Sequence, residues 1–270
     1  MTPVPVIPEG FVPSLIAVDV DDTLVAHLGA VGERVVEAIE RVRAAGIPVS
    51  IATGRTPSTT VPVARAAGID DLIVCSNGAL LVSVETEHTV ESVTFDPRPV
   101  LEELVEHLPE AVYAVEDVSG MFRTTRMFAT GPLALSVREV PFEHLLDEPI
   151  VRIVVRSEEH AQTGFGPVIE KLGYESVIYG IGDVAWMDVG PRGVNKATML
   201  QRLCEIRGYD PARTIAIGDS WNDTAMLRWA GLGVAMETAP DSVKEAADTV
   251  TSGTPGDGVA DVLDALVLLR

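Results

Sequence analysis

Apolar residues recur along this chain in two distinct periods. Short continuous runs, LIAVDV at 15–20, IPVSIA at 47–52 and LIVC at 72–75, predict strands buried on both faces. Between them, 31–45 and 57–67 carry the three-and-four spacing of amphipathic helices. The same grammar returns late, with a helix over 195–207, a strand at 213–217 (RTIAI), a helix over 222–229, a strand at 231–235 and a closing helix over 258–269. This alternation predicts right-handed βαβ units and a parallel sheet with helices on both faces. From about 83 to 189 the pattern changes to irregularly spaced β-branched runs (HTVESV, AVYAVED, IVRIVV, ESVIYG, VAWMDV) with helices near 98–108 and 158–172. That suits an α+β insert built on an antiparallel sheet. The expected organisation is an α/β, Rossmann-like parallel core in two parts, 1–82 and 190–270, interrupted by an α+β domain at 83–189.

Each core strand runs into polar residues at its end. The first delivers Asp19, Asp21, Asp22 and Thr23, the second Thr53, Gly54 and Arg55, the third Ser76, Asn77 and Gly78, and a late strand Asp219, Asn222 and Asp223. In an open parallel sheet the ligand crevice lies beyond the carboxyl ends of the strands, so these sets are expected to converge. Lys196, in RGVNKATML, opens a helix where a cation and backbone N–H groups face an anion. Clustered carboxylates repel one another and resist burial unless a cation or hydrogen bonds offset them. Acids for a metal, a hydroxyl, a lysine and helix N-termini together describe a phosphate site with a hard divalent ion.

Composition narrows the partners. A formal charge of −20 argues against nucleic acid and anionic membranes. Cys75 and Cys204 lie in different elements and suggest neither a disulfide framework nor a zinc site. The first residues, MTPVPVIPEGFVPS, have no basic stretch and are broken by prolines, and no apolar run is long enough for a bilayer, so a cytoplasmic protein is expected. The five histidines, at 27, 88, 107, 144 and 160, have no ligand spacing.

With DVDDTL at 19–24, TGR at 53–55, Lys196 in GVNKATML and GDSWND at 218–223, in this order and strand context, the sequence resembles the haloacid dehalogenase superfamily, specifically its Cof-type phosphatases with a large C2-type cap. SNGA at 76–79, AMETAPDSVKEAAD at 235–248 and DGV at 257–259 extend the likeness over nearly the whole chain, while the cap matches by position and size. The resemblance implies Asp19 as nucleophile forming an aspartyl-phosphate, and Asp21 as general acid/base. It implies Mg²⁺ bound by Asp19, Asp219 and the backbone carbonyl of Asp21, with Asp223 orienting a metal-bound water or Lys196. Thr53, the Gly54 N–H, Lys196 and Asn222 are expected to hold the phosphate oxygens, and Arg55, Asn77 and Gly78 are candidate substrate contacts. Asp22 departs from the family, many members of which have Gly there.

The implied activity is hydrolysis of small phosphomonoesters, sugar phosphates or related metabolites. Phosphohexomutase-like transfer and a non-catalytic phosphate-binding regulator are the alternatives. Plainer readings stand beside the functional ones. Thr53 can cap a helix, Asp223 can serve a helix dipole, and Arg55 can be a structural ion pair. Trp221 and Trp229 are expected to pack in the core or at its rim rather than stack on a substrate, Asp257 to cap the last helix, and Arg123 and Arg126 to be solvated strand residues rather than contacts to an anionic substrate.

Overall fold

In a computed structural model of the chain, residues 3–26, 29–127, 137–159, 165, 175–181 and 183–268 are described. The chain divides into two compact units, residues 1–90 with 195–270, and residues 91–194.

The first unit is built on a five-stranded parallel sheet. Its strands are β1 (Leu15–Val18), β2 (Val49–Ile51), β12 (Thr214–Gly218), β13 (Leu232–Met236) and β14 (Thr249–Thr251), in the order β14-β13-β12-β1-β2. The residues of β1 and β12 are all buried, as expected for central strands with both faces covered. Helix α1 (Glu33–Ala44) buries Val35, Ala38, Ile39 and Val42, the i, i+3, i+4, i+7 stripe that the sequence displays. Its outer arginines reach the closing helix: Arg34 pairs with Asp261 and Arg41 with Asp264, each at 2.6 Å. From β1 the chain builds outward through β2, and from β12 outward the other way through β13 and β14. The β1–β12 pair is therefore where the winding reverses, and the crevice beyond its strand ends is where ligands bind in such sheets.

Beyond β2, α2 (Pro57–Ala66) leads to β3 (Leu72–Cys75), which touches the sheet through a parallel bridge between Ala52 and Val74 and pairs antiparallel with β4 (Leu80–Ser83). A third strand, β5 (Thr89–Ser92), completes that small sheet.

The second unit holds a six-stranded sheet of β6 (Val112–Glu116), β7 (Phe122–Thr124), β8 (Val137–Glu139), β9 (Arg152–Ser157), β10 (Glu175–Ile181) and β11 (Val184–Gly190), ordered β10-β11-β9-β6-β7-β8. Its ladders are antiparallel except for β7 with β8, which run parallel. On one face α3 (Arg98–His107) contributes Val100, Leu101 and Leu104 to a core with Tyr113, Val115, Ile153, Val155 and Met187. The helix expected over 158–172 lies almost wholly outside the described residues.

Back in the first unit, α4 (Lys196–Arg207) begins at an Asn195 capping box and ends at Gly208, whose φ of 72° is a left-handed stop. A 3-10 turn at Trp221–Asp223 precedes α5 (Thr224–Trp229), and α6 (Asp241–Lys244) and α7 (Asp257–Leu268) follow. Asp257 opens α7 as its first residue, where its charge suits the helix dipole, instead of preceding the helix as a cap.

Candidate active site

Asp19 directly follows β1, and its backbone N–H donates to the Ile217 carbonyl of β12 at 2.9 Å. This locks it beside the other central strand at the sheet's reversal point. Asp219 follows β12. Lys196, first residue of α4, is the element that joins them: Nζ donates to Asp19 Oδ1 and to Asp223 Oδ1, both at 2.6 Å. All three side chains are buried, Lys196 and Asp223 completely.

Asp223 is fixed from the other side as well. Its Oδ2 accepts the backbone N–H groups of Asp219 (3.0 Å) and Ser220 (2.9 Å), so it closes the turn after β12 while holding the lysine. Gly218 makes this turn possible, because a Cβ there would stand 2.5 Å from the Asp223 carboxyl carbon. The plain and functional readings of Asp223 are thus one arrangement: a turn-closing acid that also orients Lys196.

The loop after β3 is strained. Ser76, Asn77 and Gly78 have φ of 51°, 54° and 98°, three consecutive residues in the left-handed region. Gly78 is required there, since a Cβ would lie 2.1 Å from the Asn195 carbonyl oxygen at the start of α4. The strain places Asn77 Oδ1 to accept from Asn222 Nδ2 at 3.0 Å, joining two of the predicted sets. Thr53 is buried after β2, accepts Arg55 N–H at Oγ1 (3.2 Å), and receives Asn77 N–H at its carbonyl (3.0 Å). Gly54 lies beside it, facing the Asn77 amide.

Arg55 does not stand free for a substrate. Its Nε and Nη2 grip Asp21 Oδ2 and Oδ1 at 2.8 and 2.5 Å. Asp21 sits at the mouth of a tight turn closed by Asp22 N–H to the Val25 carbonyl at 2.8 Å, with Asp22 at φ 56°. A left-handed backbone favours glycine, and Asp is among the side chains that tolerate it. Thr23 also belongs to the site, donating to Asp219 Oδ1 at 2.9 Å; nothing in its sequence pattern beyond adjacency to the acids marks it.

Carboxylate oxygens of Asp19, Asp219 and Asp223 all lie within 4.8 Å of one another. Burial, only partly countered by Lys196, pushes Asp19 well above the usual aspartate range. Burial and then the Asp223 charge push Asp219 up to about 6. Lys196 is held protonated: burial alone would lower its pKa, but Asp19 and Asp223 outweigh it. Three carboxylates against one ammonium leave an excess of buried negative charge, and the donors are hard oxygens, so the cluster suits a divalent cation such as Mg²⁺. Asp223 already accepts three hydrogen bonds, which leaves Asp19 and Asp219 as the acids with spare acceptor capacity.

Asp22, Asp219, Ser220, Trp221, Thr238 and Pro240 line a groove of about 490 Å³ beside the cluster. Trp229 packs as expected, its Nε1 donating to Gln201 Oε1 at 3.1 Å. Trp221, expected in the core or at its rim, is instead 63% exposed, on a 3-10 turn whose buried residue is Asp223. In the second unit Arg123 is not a solvated strand residue but only 17% exposed at its side chain and paired with Glu148 at 3.0 Å, whereas Arg126 is exposed. Among the described residues no helix is long and apolar enough to cross a membrane.

The chain matches the haloacid dehalogenase-like hydrolase family over residues 16–263. It is 31% identical to the phosphoglycolate phosphatase of Archaeoglobus fulgidus over 260 residues, 96% of this chain and 100% of the relative. It is 27% identical to a pyridoxal phosphate phosphatase of Escherichia coli, covering 92% of this chain and 97% of that one. Its fold matches a phosphatase of the same superfamily from Bacteroides thetaiotaomicron with a TM-score of 0.77 at 25% identity, over 98% of both chains. With the family matched from β1 to α7 and an acid cluster at the sheet's reversal point, this chain is an enzyme of the haloacid dehalogenase-like hydrolase family.

Proposed function

We propose that this hydrolase cleaves small phosphomonoesters, sugar phosphates or related metabolites, through an aspartyl-phosphate on Asp19. The observation that carries the reading is the buried Lys196 ammonium, 2.6 Å from both Asp19 and Asp223, with Asp219 in the same cluster. Asp19 stands at the end of β1, at the sheet's reversal point, and Lys196 takes one of its oxygens, which leaves the other to act as a nucleophile toward an electrophile that brings its own oxygens. Asp19 attacks phosphorus while Asp21 gives a proton to the leaving alcohol. Asp21 then takes a proton from the water that attacks the acyl-phosphate. Thr53, the Gly54 N–H, Lys196 and Asn222 hold the non-bridging oxygens, where charge must be steadied in the transition state. Asp19, Asp219 and the Asp21 carbonyl are the ligands for Mg²⁺, whose contribution when bound is to reduce repulsion between the anionic ester and the anionic nucleophile.

Substrate choice is assigned to the insert, about 83–189, since the core residues named here address only phosphate and metal, which all esters share. The reading places the enzyme in the cytoplasm, in keeping with two buried free thiols, Cys75 and Cys204. Release of inorganic phosphate from a panel of small phosphomonoesters, with Mg²⁺ present, tests the reading; a flat panel overturns it.

A further inference from the structure

We propose that Arg55 is the positioning residue for Asp21, setting where its carboxylate stands, and is not a substrate contact. This rests on the reading of Asp21 as the proton donor. Three observations support it. The guanidinium meets the carboxylate as a fork, Nε to Oδ2 at 2.8 Å and Nη2 to Oδ1 at 2.5 Å, so both carboxylate oxygens are engaged and the plane of the group is set. The side chain of Asp21 is 38% exposed and that of Arg55 20%, so packing does not enclose the acid on every side. Finally, Arg55 is itself pinned at its backbone: its N–H donates to Thr53 Oγ1 at 3.2 Å, and its carbonyl accepts Ser76 N–H at 2.9 Å. The fork is thus referenced to Thr53 and to the strained loop after β3, the same elements assigned to hold the phosphate. Arg55 measures the position of the acid against the position of the phosphate.

The proton balance gives the pair a place in both steps. As the Asp19–phosphorus bond forms and the bond from phosphorus to the leaving oxygen breaks, the Asp21 proton passes to that oxygen. The carboxylate left behind is the species the guanidinium fork receives. As water attacks and the Asp19–phosphorus bond breaks, a water proton returns to one oxygen of Asp21 while the guanidinium keeps its hydrogen bond to the other, so the acid stands in the same place when it next donates. A lysine keeps the charge but cannot form the fork.

The test compares kcat/KM for an alkyl phosphate, whose leaving oxygen needs a proton, with that for p-nitrophenyl phosphate, whose phenolate leaves without one. Arg55→Lys is expected to lower the alkyl value about 10- to 100-fold, within the range of general acid catalysis, while p-nitrophenyl phosphate changes little. Arg55→Gln serves if the lysine variant folds poorly, with the melting temperature of each recorded. Asp21→Asn is expected to shift the ratio in the same direction, and adding Arg55→Lys to it to change nothing further. Equal losses on both esters mean substrate contact or general structure, and overturn the proposal. An additive effect in the double variant overturns it as well. If Asp21→Asn leaves the ratio unchanged, the acid assignment itself falls and the proposal with it.

Discussion

Lys196 in the first unit and Arg152 in the second each stand buried between two carboxylates. Lys196 lies 2.6 Å from Asp19 and from Asp223, and Arg152 lies 2.6 Å from Glu116 and from Asp188. Burial and formal charge are alike, but the surroundings are not. Glu116 and Arg152 face each other in register on β6 and β9, and the guanidinium carbon sits 5.6 Å from the centre of the Phe122 ring. Regular strands supply that cluster and its members satisfy one another. The Lys196 cluster grows from strand ends, a helix start and a closed turn, and it adds a third acid, Asp219. Among the described residues, Asp19, Asp219 and Asp223 are the one group of acids close enough to share a metal ion. A buried ion pair inside a sheet is a structural element; the same pair at a crevice, with negative charge left over, is a site.

The largest expected effect separates chemistry from structure. Asp19→Asn is near-isosteric and should lower phosphate release by several orders of magnitude while circular dichroism and melting temperature stay close to the parent, because a covalent nucleophile is lost and no buried charge is stranded. Turnover above a few per cent would make Asp19 part of a merely structural cluster like that of Arg152.

Removing the cation probes the likeness directly. Lys196→Met and Arg152→Met should each cost about 3–5 kcal/mol in urea unfolding, since both strand two carboxylates. Mg²⁺ should restore part of the loss in Lys196→Met and none in Arg152→Met. Equal rescue, or none in either, would erase the distinction between the clusters.

Acid titration sharpens it further. Folding raises Asp219 from the ordinary 3.8 to about 6, so the folded state holds the proton more tightly. Its contribution to stability is complete below about pH 4 and declines as pH rises toward 6. In EDTA, the unfolding free energy of the parent relative to Asp219→Asn should fall across that window. Mg²⁺ should reverse the slope, because a bound cation favours the ionised acid, and should raise the melting temperature of the parent alone. A flat difference in both conditions would remove Asp219 from the metal site.

The smallest effect is local. Asp22→Gly relieves a left-handed residue at φ 56° and takes a carboxylate away from Asp219. It should raise stability by about 1 kcal/mol, read as a shift in the denaturation midpoint.

The sequence by itself determined the core strands β1, β2, β3, β12 and β13, because strands covered on both faces read as short, nearly continuous apolar runs. It also determined which residues meet at the strand ends, since in such a sheet the carboxyl ends share one edge. It was silent on β14 and α6, elements of three and four residues, too short to display a period and held by pairing with β13 or packing near it. It placed Asp223 near the site without revealing that one carboxylate both closes the turn after β12 and holds Lys196. Most of all it left Arg55 open between substrate and ion pair. Tertiary structure decided that its guanidinium belongs to Asp21, 34 residues away, and that the loop from Ser76 to Gly78 takes three left-handed residues in a row to bring Asn77 to Asn222. Periodicity records which face of an element is buried. Which side chain a long, forked cation meets depends on distances between elements, and those exist only after folding.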